Sequence, residues 1–222
     1  GLLMICFLGT SHAAEHLRNA ALRRGLLLTV DPRTAEVIFI SEDTPTDENG
    51  VRDLKPIRDL IDCAFAVSSY SKSQLVLTSQ VPPGFTRSLG LTNIYHQAET
   101  LRILDAEERA FSPEYIAVGG PQGIKRAYAE YLMAFHCPVL RMSWEEAEFS
   151  KIAVNMFLAS QVEATNALSI ACKKVGADWE NVSKALKLDK RIGPHAYLKP
   201  GRWEDSKHLL RDSVTLDFIG TS

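Results

Sequence analysis

The sequence has no apolar run near the ~20 consecutive residues needed to cross a bilayer; its clearest runs, residues 2–8, 26–30 and 37–40, are strand-sized. No membrane role is therefore expected. Residues 2–8 also lack a basic leader and a small-residue cleavage site, so they do not read as a secretion signal. Excess positive charge is missing too. Against 25 Lys and Arg stand 27 Asp and Glu, for a net charge of −2, which sets aside nucleic acid and other polyanions as partners. The four cysteines, Cys6, Cys63, Cys137 and Cys172, contain no CxxC pair, and no metal site is assigned to the chain. So scattered, they read as buried reduced thiols and fit a cytoplasmic protein. There is no internal repeat and no low-complexity stretch.

What is present is an ordinary globular mixture of 222 residues, 45% hydrophobic and 23% charged, enough for one large domain or two small ones. Residues 2–8 are a continuous apolar run of the kind buried on both faces of a parallel sheet. Gly9-Thr10-Ser11 makes a turn, and residues 12–24 suit a helix that Gly25 stops. A second strand over 26–30 ends at Asp31-Pro32. A third, over 36–41, follows too closely for a crossover helix, so this edge of the sheet is expected to be abbreviated or antiparallel. Beyond a polar loop the pattern predicts a helix over 54–70, strands over 74–79 and 91–95, helices over 98–110 and 124–135, and a last strand over 138–142. This alternation argues a doubly wound α/β domain up to Met142.

Ser143-Trp144-Glu145-Glu146 spells a capping box, in which a hydroxyl and a carboxylate satisfy backbone N–H groups at a helix start. The helical pattern then continues to Lys173-Lys174, with Gly176 as the stop. Such a helix of ~30 residues is ~45 Å long. Phe149, Ile152, Ala153 and Met156 form one apolar row, while Leu158 and Val162 lie on a different side. Apolar rows on two sides predict a homodimer through residues 144–174.

Several places could carry chemistry. Gly9-Thr10-Ser11-His12-Ala13-Ala14 stands where the dinucleotide turn GxGxxG would be, with Ser11 in the second place and Ala14 in the third. Asp31, at the end of the second strand, is placed to accept from a ribose hydroxyl. A plain tight turn is the alternative. Lys151 and Asn155, four apart, share one helix face and could hold a water or a developing oxyanion, unless that face is simply solvated. Glu114, in Ser112-Pro113-Glu114, is a candidate base or an ordinary surface acid. Thr44-Pro45 and Val81-Pro82-Pro83-Gly84 sit at strand ends, on what would be the ligand face of an α/β sheet. His208 and Asp212 are four apart, so on a helix the carboxylate could orient the imidazole.

In order, these segments resemble the UDP-glucose/GDP-mannose dehydrogenase family. The matches include Gly9, Asp31, Thr44-Pro45, the Val-Pro-Pro-Gly turn, Pro113-Glu114 followed by Gly119, Lys151-x-x-x-Asn155-x-x-Leu158-Ala159 and Asn166. Gly176-Ala177-Asp178, Arg191-Ile192-Gly193, Pro200-Gly201 and Arg211-Asp212 continue them. The resemblance implies a Rossmann-like NAD-binding domain over residues 1–142, then a long-helix dimerisation domain with a catalytic-loop remnant over 143–222. It implies NAD as cofactor and a nucleotide sugar as substrate, with Gly9, Ser11, His12, Asp31, Thr44, Pro45 and Gln80 at the cofactor. Lys151, Asn155 and Asp212 fall on family catalytic positions, and Glu114 on the first of two loop glutamates.

The departures point to a divergent member. His208 stands where the family has its nucleophilic cysteine, Arg211 replaces the Lys before the Asp, Gln80 replaces a Thr, and Val118 replaces the second loop glutamate. The family's C-terminal nucleotide-binding domain has no counterpart in these residues, and the segments after Asp31 and Gly119 are short. With no cysteine in the loop, a single two-electron oxidation with His208 as base is expected. The other readings are a non-catalytic relative that binds a nucleotide or a partner protein, and a hydroxyacid dehydrogenase of the 6-phosphogluconate type.

Overall fold

The structure is a computed structural model that describes residues 2–102, 105–121, 123–205 and 207–221, apart from the side chains of 69–71, 205, 207, 208, 218 and 221. It divides into two compact units. One comprises residues 1–45 and 53–151, the other residues 46–52 and 152–222.

In the first unit β1 (Met4–Leu8) leads through α1 (His12–Arg23) to β2 (Leu27–Leu28). Then come β3 (Val37–Ile40), α2 (Lys55–Ser71), β4 (Gln74–Leu77), the short α3 (Phe85–Ser88) and β5 (Ile94–Gln97). The series closes with α4 (Ala106–Phe111), β6 (Ile116–Gly119), α5 (Arg126–Met133) and β7 (Val139–Met142). Among the described residues seven strands form one sheet in the order β2-β1-β3-β4-β5-β6-β7. β1 to β5 are parallel, and β6 and β7 run against them.

Strand alternation sorts the apolar side chains into two layers. Ile5, Phe7, Val37, Phe39, Val76 and Tyr95 pack with Leu17 of α1 and with Tyr128 and Tyr131 of α5. Cys6, Ile38, Ile40, Leu75, Leu77 and Ile94 pack on the other face with Ile57 and Ile61 of α2 and with Trp144. β3 to β6 are buried throughout, as continuous strand runs require between two helical layers.

The abbreviated edge is real. β2 has two residues and pairs in parallel with β1, and the chain returns through a 3-10 turn at Pro32–Thr34 to place β3 on the opposite side of β1. Three expectations shift. The strand sought at 91–95 lies at Ile94–Gln97, because His96 and Gln97 are polar residues inside a buried strand. The helix sought at 98–110 forms only over Ala106–Phe111; the Glu99 carboxylate instead accepts from Leu101 N and from Gln80 Nε2, a local turn that competes with a helix start. β6 went unpredicted, since its sequence Ile116-Ala117-Val118-Gly119 has small residues in half its places and gives a weak apolar run. Cys63 is exposed and Cys137 half-buried, where all four were expected to be buried; all four cysteines are free thiols.

The capping box forms as drawn: Ser143 N donates to Glu146 Oε1 at 2.9 Å, and Glu146 N donates to Ser143 Oγ at 3.1 Å. The helix it opens, α6, runs over Trp144–Lys174 and stops at Gly176, whose φ is +75°. Compact-unit division falls within α6, after Lys151. Glu148, on the first-unit part of α6, accepts from Gly84 N, Thr86 N and Thr86 Oγ1 and so fixes the start of α3.

In the second unit α6 is followed by α7 (Trp179–Leu188) and α8 (Lys207–Thr221). The stretch between them is stitched to α6 by side chains. Tyr197 N donates to Gln161 Oε1, Thr165 Oγ1 donates to Tyr197 O, and Asn166 exchanges two bonds with Gly201. Both apolar cores above belong to the first unit. Among the described residues of the second, only Ile152, Ala159 and Cys172 are buried apolar groups, and Asn155, Thr165, Ser183, Arg211, Asp212 and Thr215 outnumber them.

Candidate functional site

In the first unit the direction of chain crossing reverses between β1 and β3, and open α/β sheets bind ligands at the carboxyl ends of the strands flanking such a point. The ends of β1 and β3 touch there. Gly9 has a φ of +123°, and a Cβ on it would stand 2.2 Å from Ser41 O, so only glycine fits. Ser11 caps α1: its Oγ accepts from Ala14 N at 3.0 Å and donates to Ser41 O at 2.6 Å. His12, exposed, is the first helical residue.

Asp31 follows β2 and caps the 3-10 turn, accepting from Arg33 N at 3.0 Å. Its carboxylate also receives Arg33 Nε and Nη2 at 3.0 and 3.1 Å, and these bonds hold its pKa below the ordinary carboxylate value. Thr44 is buried, and its Oγ1 donates to Gln80 O at 2.9 Å, which joins the ends of β3 and β4. Pro45 O accepts from Asp53 N at 2.7 Å. Gln80 Nε2 donates to Glu99 Oε2 at 3.1 Å. Glu114 is 74% exposed and ion-paired with Arg109 at 3.0 Å.

The second unit holds a different kind of cluster. Asn155 and Asp212 meet: Asn155 Nδ2 donates to Asp212 Oδ2 at 2.6 Å. The other oxygen, Oδ1, receives Arg52 Nη2 at 2.7 Å, with the two side chains only 7% and 1% exposed. Arg52 also donates through Nη1 to Thr215 Oγ1 at 2.5 Å. Burial lowers the Arg52 pKa, and the Asp212 carboxylate opposes that shift. Arg52 arrives on a tight hairpin in which Thr46 bridges Arg52 and Asp47 Oδ1 accepts from Asn49 N and Val51 N. Gly50, with a φ of +79°, lies against α8, where a Cβ would come within 2.7 Å of Val214 Cγ2. Lys151, half-buried and the last residue of the first unit, lies one turn before Asn155 in the sequence of α6. The His208 side chain is outside the described residues.

Sequence reasoning grouped Asn155 and Asp212 with Lys151 through the family resemblance, not through a bond between them, and it missed Arg52 and Glu42 altogether. Arg52 sits in a polar loop with no motif of its own, 160 residues from its partner. Glu42 lies where β3 ends, and its carboxylate reaches Thr10 of the turn. Among the described residues no group of three or more His, Cys, Asp or Glu could hold a metal ion, and no helix is long and apolar enough to cross a membrane.

A mixed sheet with a switch point between β1 and β3, followed by a long helix carrying Lys151 and Asn155, defines an α/β protein. Residues 145–212 match the family model for the UDP-glucose/GDP-mannose dehydrogenase family, central domain. UDP-glucose 6-dehydrogenase of Rickettsia felis is 32% identical over 178 residues, covering 72% of this chain and 38% of that one. The enzyme of the same name from Pseudomonas aeruginosa is 31% identical over 208 residues, covering 82% and 43%. A UDP-glucose dehydrogenase structure from the hyperthermophilic archaeon Pyrobaculum islandicum superposes with a TM-score of 0.76 at 22% identity, over 100% of this chain and 64% of that one. The chain belongs to the UDP-glucose/GDP-mannose dehydrogenase family. It spans 38% and 43% of the length of the two curated relatives named above.

Proposed function

We propose that this chain is an NAD-dependent oxidoreductase acting on the CH–OH group of a nucleotide sugar. The observation that carries the reading is the match over residues 145–212, which contains Lys151, Asn155 and Asp212 together, with Asn155 bonded to Asp212 at 2.6 Å. The first unit fits a dinucleotide: a glycine turn leads into a capped helix at the switch point, and an acid follows β2. Gly9, Ser11, His12, Asp31, Thr44, Pro45 and Gln80 are the residues assigned to hold it. NAD, when bound, supplies the hydride acceptor.

Lys151 and Asn155 present a cation and an amide to the oxygen that gains charge as the alcohol proton leaves. Asp212 has both oxygens engaged, by Asn155 and Arg52, so its part is to orient Asn155. His208 stands in the place of the family's cysteine and is the candidate base; Glu114 is assigned to positioning a water. Without a thiol to capture the aldehyde, the reaction stops after one two-electron step. We assign residues 1–142 to cofactor binding and 143–222 to dimerisation and the catalytic remnant, and place the protein in the cytoplasm on its free thiols.

Homodimerisation rests on α6. Val154, Phe157, Ala164, Leu168 and Ala171 are all exposed and, with Val175 just past the helix end, fall on a row whose spacing alternates three and four, the seam spacing of paired helices. Gln161 holds the remaining place in that row and turns to Tyr197.

The test is incubation with NAD and UDP-glucose, then with GDP-mannose, counting NADH formed per sugar consumed. One NADH and an aldehyde product are expected. Two NADH and a carboxylate contradict the single step, and an unchanged rate in His208→Ala removes the role given to His208.

A further inference from the structure

The end of β3 beside the switch point carries an acid that reaches the turn after β1. Glu42 follows Ser41 at the end of β3, and its backbone is pinned on both sides: Glu42 N donates to Ser79 Oγ at 3.0 Å, and Ser79 Oγ donates to Glu42 O at 2.7 Å. With the backbone fixed, the half-buried side chain projects over the turn after β1. Its carboxylate accepts from Thr10 N at 3.4 Å to each oxygen, from Thr10 Oγ1 at 3.3 Å and from Asp43 N at 3.1 Å. The Thr10 bonds are long and therefore weak, so the contact can be displaced.

A carboxylate and a phosphate seek the same partners at this place. The turn between a first strand and its helix offers backbone N–H groups, and the helix start favours negative charge. Here Glu42 takes the Thr10 N–H, the exposed Asp43 adds a second acid beside it, and the exposed His12 heads the helix. A third acid, Asp31, is ion-paired with Arg33 at 3.0 Å; Glu42 is in none of the ion pairs among the described residues.

Resting on the cofactor reading above, we propose that Glu42 is an internal competitor for the dinucleotide's phosphates. Its carboxylate occupies the phosphate position of the turn, must swing away for the cofactor to enter, and sets the affinity of this chain for dinucleotides. The repulsion is electrostatic and partly exposed to water, so salt screens it.

The experiment titrates the full chain, Glu42→Gln and Glu42→Val with NADH at low and high salt, following nicotinamide fluorescence, with thermal midpoints recorded without ligand to show that each variant is folded. Both variants are expected to bind about tenfold tighter than the parent at low salt, with the gap narrowing at high salt. Saturable binding in the parent with equal or weaker binding in both variants overturns the inference and leaves the cofactor reading standing. No saturable binding in any of the three overturns both. Binding by the variants alone is the strongest support.

Discussion

Arg52 and Asp212 form an ion pair of 2.7 Å with both side chains withdrawn from solvent, across 160 positions of sequence. It ties the hairpin of residues 46–52 to α8 inside the second unit and leaves Asp212 one oxygen for Asn155. Among the described residues of the second unit buried polar side chains outnumber buried apolar ones, and this network is part of that polar interior.

Breaking the pair from one side leaves a buried charge without its partner. Arg52→Met or Asp212→Leu alone is expected to cost about 3–5 kcal/mol, while the double change costs less than either single one, because no unpaired charge remains. Urea midpoints at one fixed protein concentration measure this. Additive effects would show that the pair is not coupled.

His96 sets a pH dependence in the first unit. It is 2% exposed on β5, Nδ1 has no hydrogen-bond partner among the described residues, and burial pushes its pKa from 6.5 down to about 4. The folded chain therefore keeps the ring neutral where the unfolded chain takes a proton. The contribution is complete above pH 6.5, falls as pH drops from 6.5 to about 4, and changes no further below that. Over this window the parent should lose about 3 kcal/mol more than His96→Gln. Parallel pH profiles for the two proteins would contradict it.

The exposed apolar row of α6 predicts the oligomeric state. Phe157, 75% exposed, and Leu168 lie on the row, and an aspartate at either place buries a charge in any interface built on it. Light scattering should give twice the chain mass for the parent and the single-chain mass for Phe157→Asp and Leu168→Asp. A monomeric parent contradicts the dimer.

Much of the fold was legible because the signals were local. Continuous apolar runs marked β1, β3 and β4, the Ser143–Glu146 box marked the start of α6, and Gly176 marked its end. The short gap after Asp31 also foretold the truncated edge. What stayed hidden was short or non-local. β6 carries Ala117 and Gly119, which weaken its apolar run, and β5 carries His96 and Gln97, whose burial depends on partners elsewhere in the sheet. In the candidate site, the Lys151–Asn155 spacing could be read from helical geometry. The partnership of Asp212 with Arg52 could not, since it depends on a hairpin and a helix far apart in sequence meeting in the fold. The apolar rows expected on α6 were also only partly informative. Ile152 is buried, yet the exposed row passes through Val154 and Phe157, which the sequence reading did not single out.

The most direct test of the central claim, a nicotinamide-cofactor site in the first unit, is a titration of the full chain and of Asp31→Ala with NADH and NADPH. The account predicts saturable NADH binding by the parent, tighter than NADPH, because the Asp31 carboxylate accepts from a ribose hydroxyl and repels a 2′-phosphate. In Asp31→Ala, NADH binding should weaken and NADPH binding strengthen, since Arg33 loses the carboxylate that now occupies it. No saturable binding of either cofactor up to millimolar concentration, or tighter NADPH binding by the parent, would contradict the account.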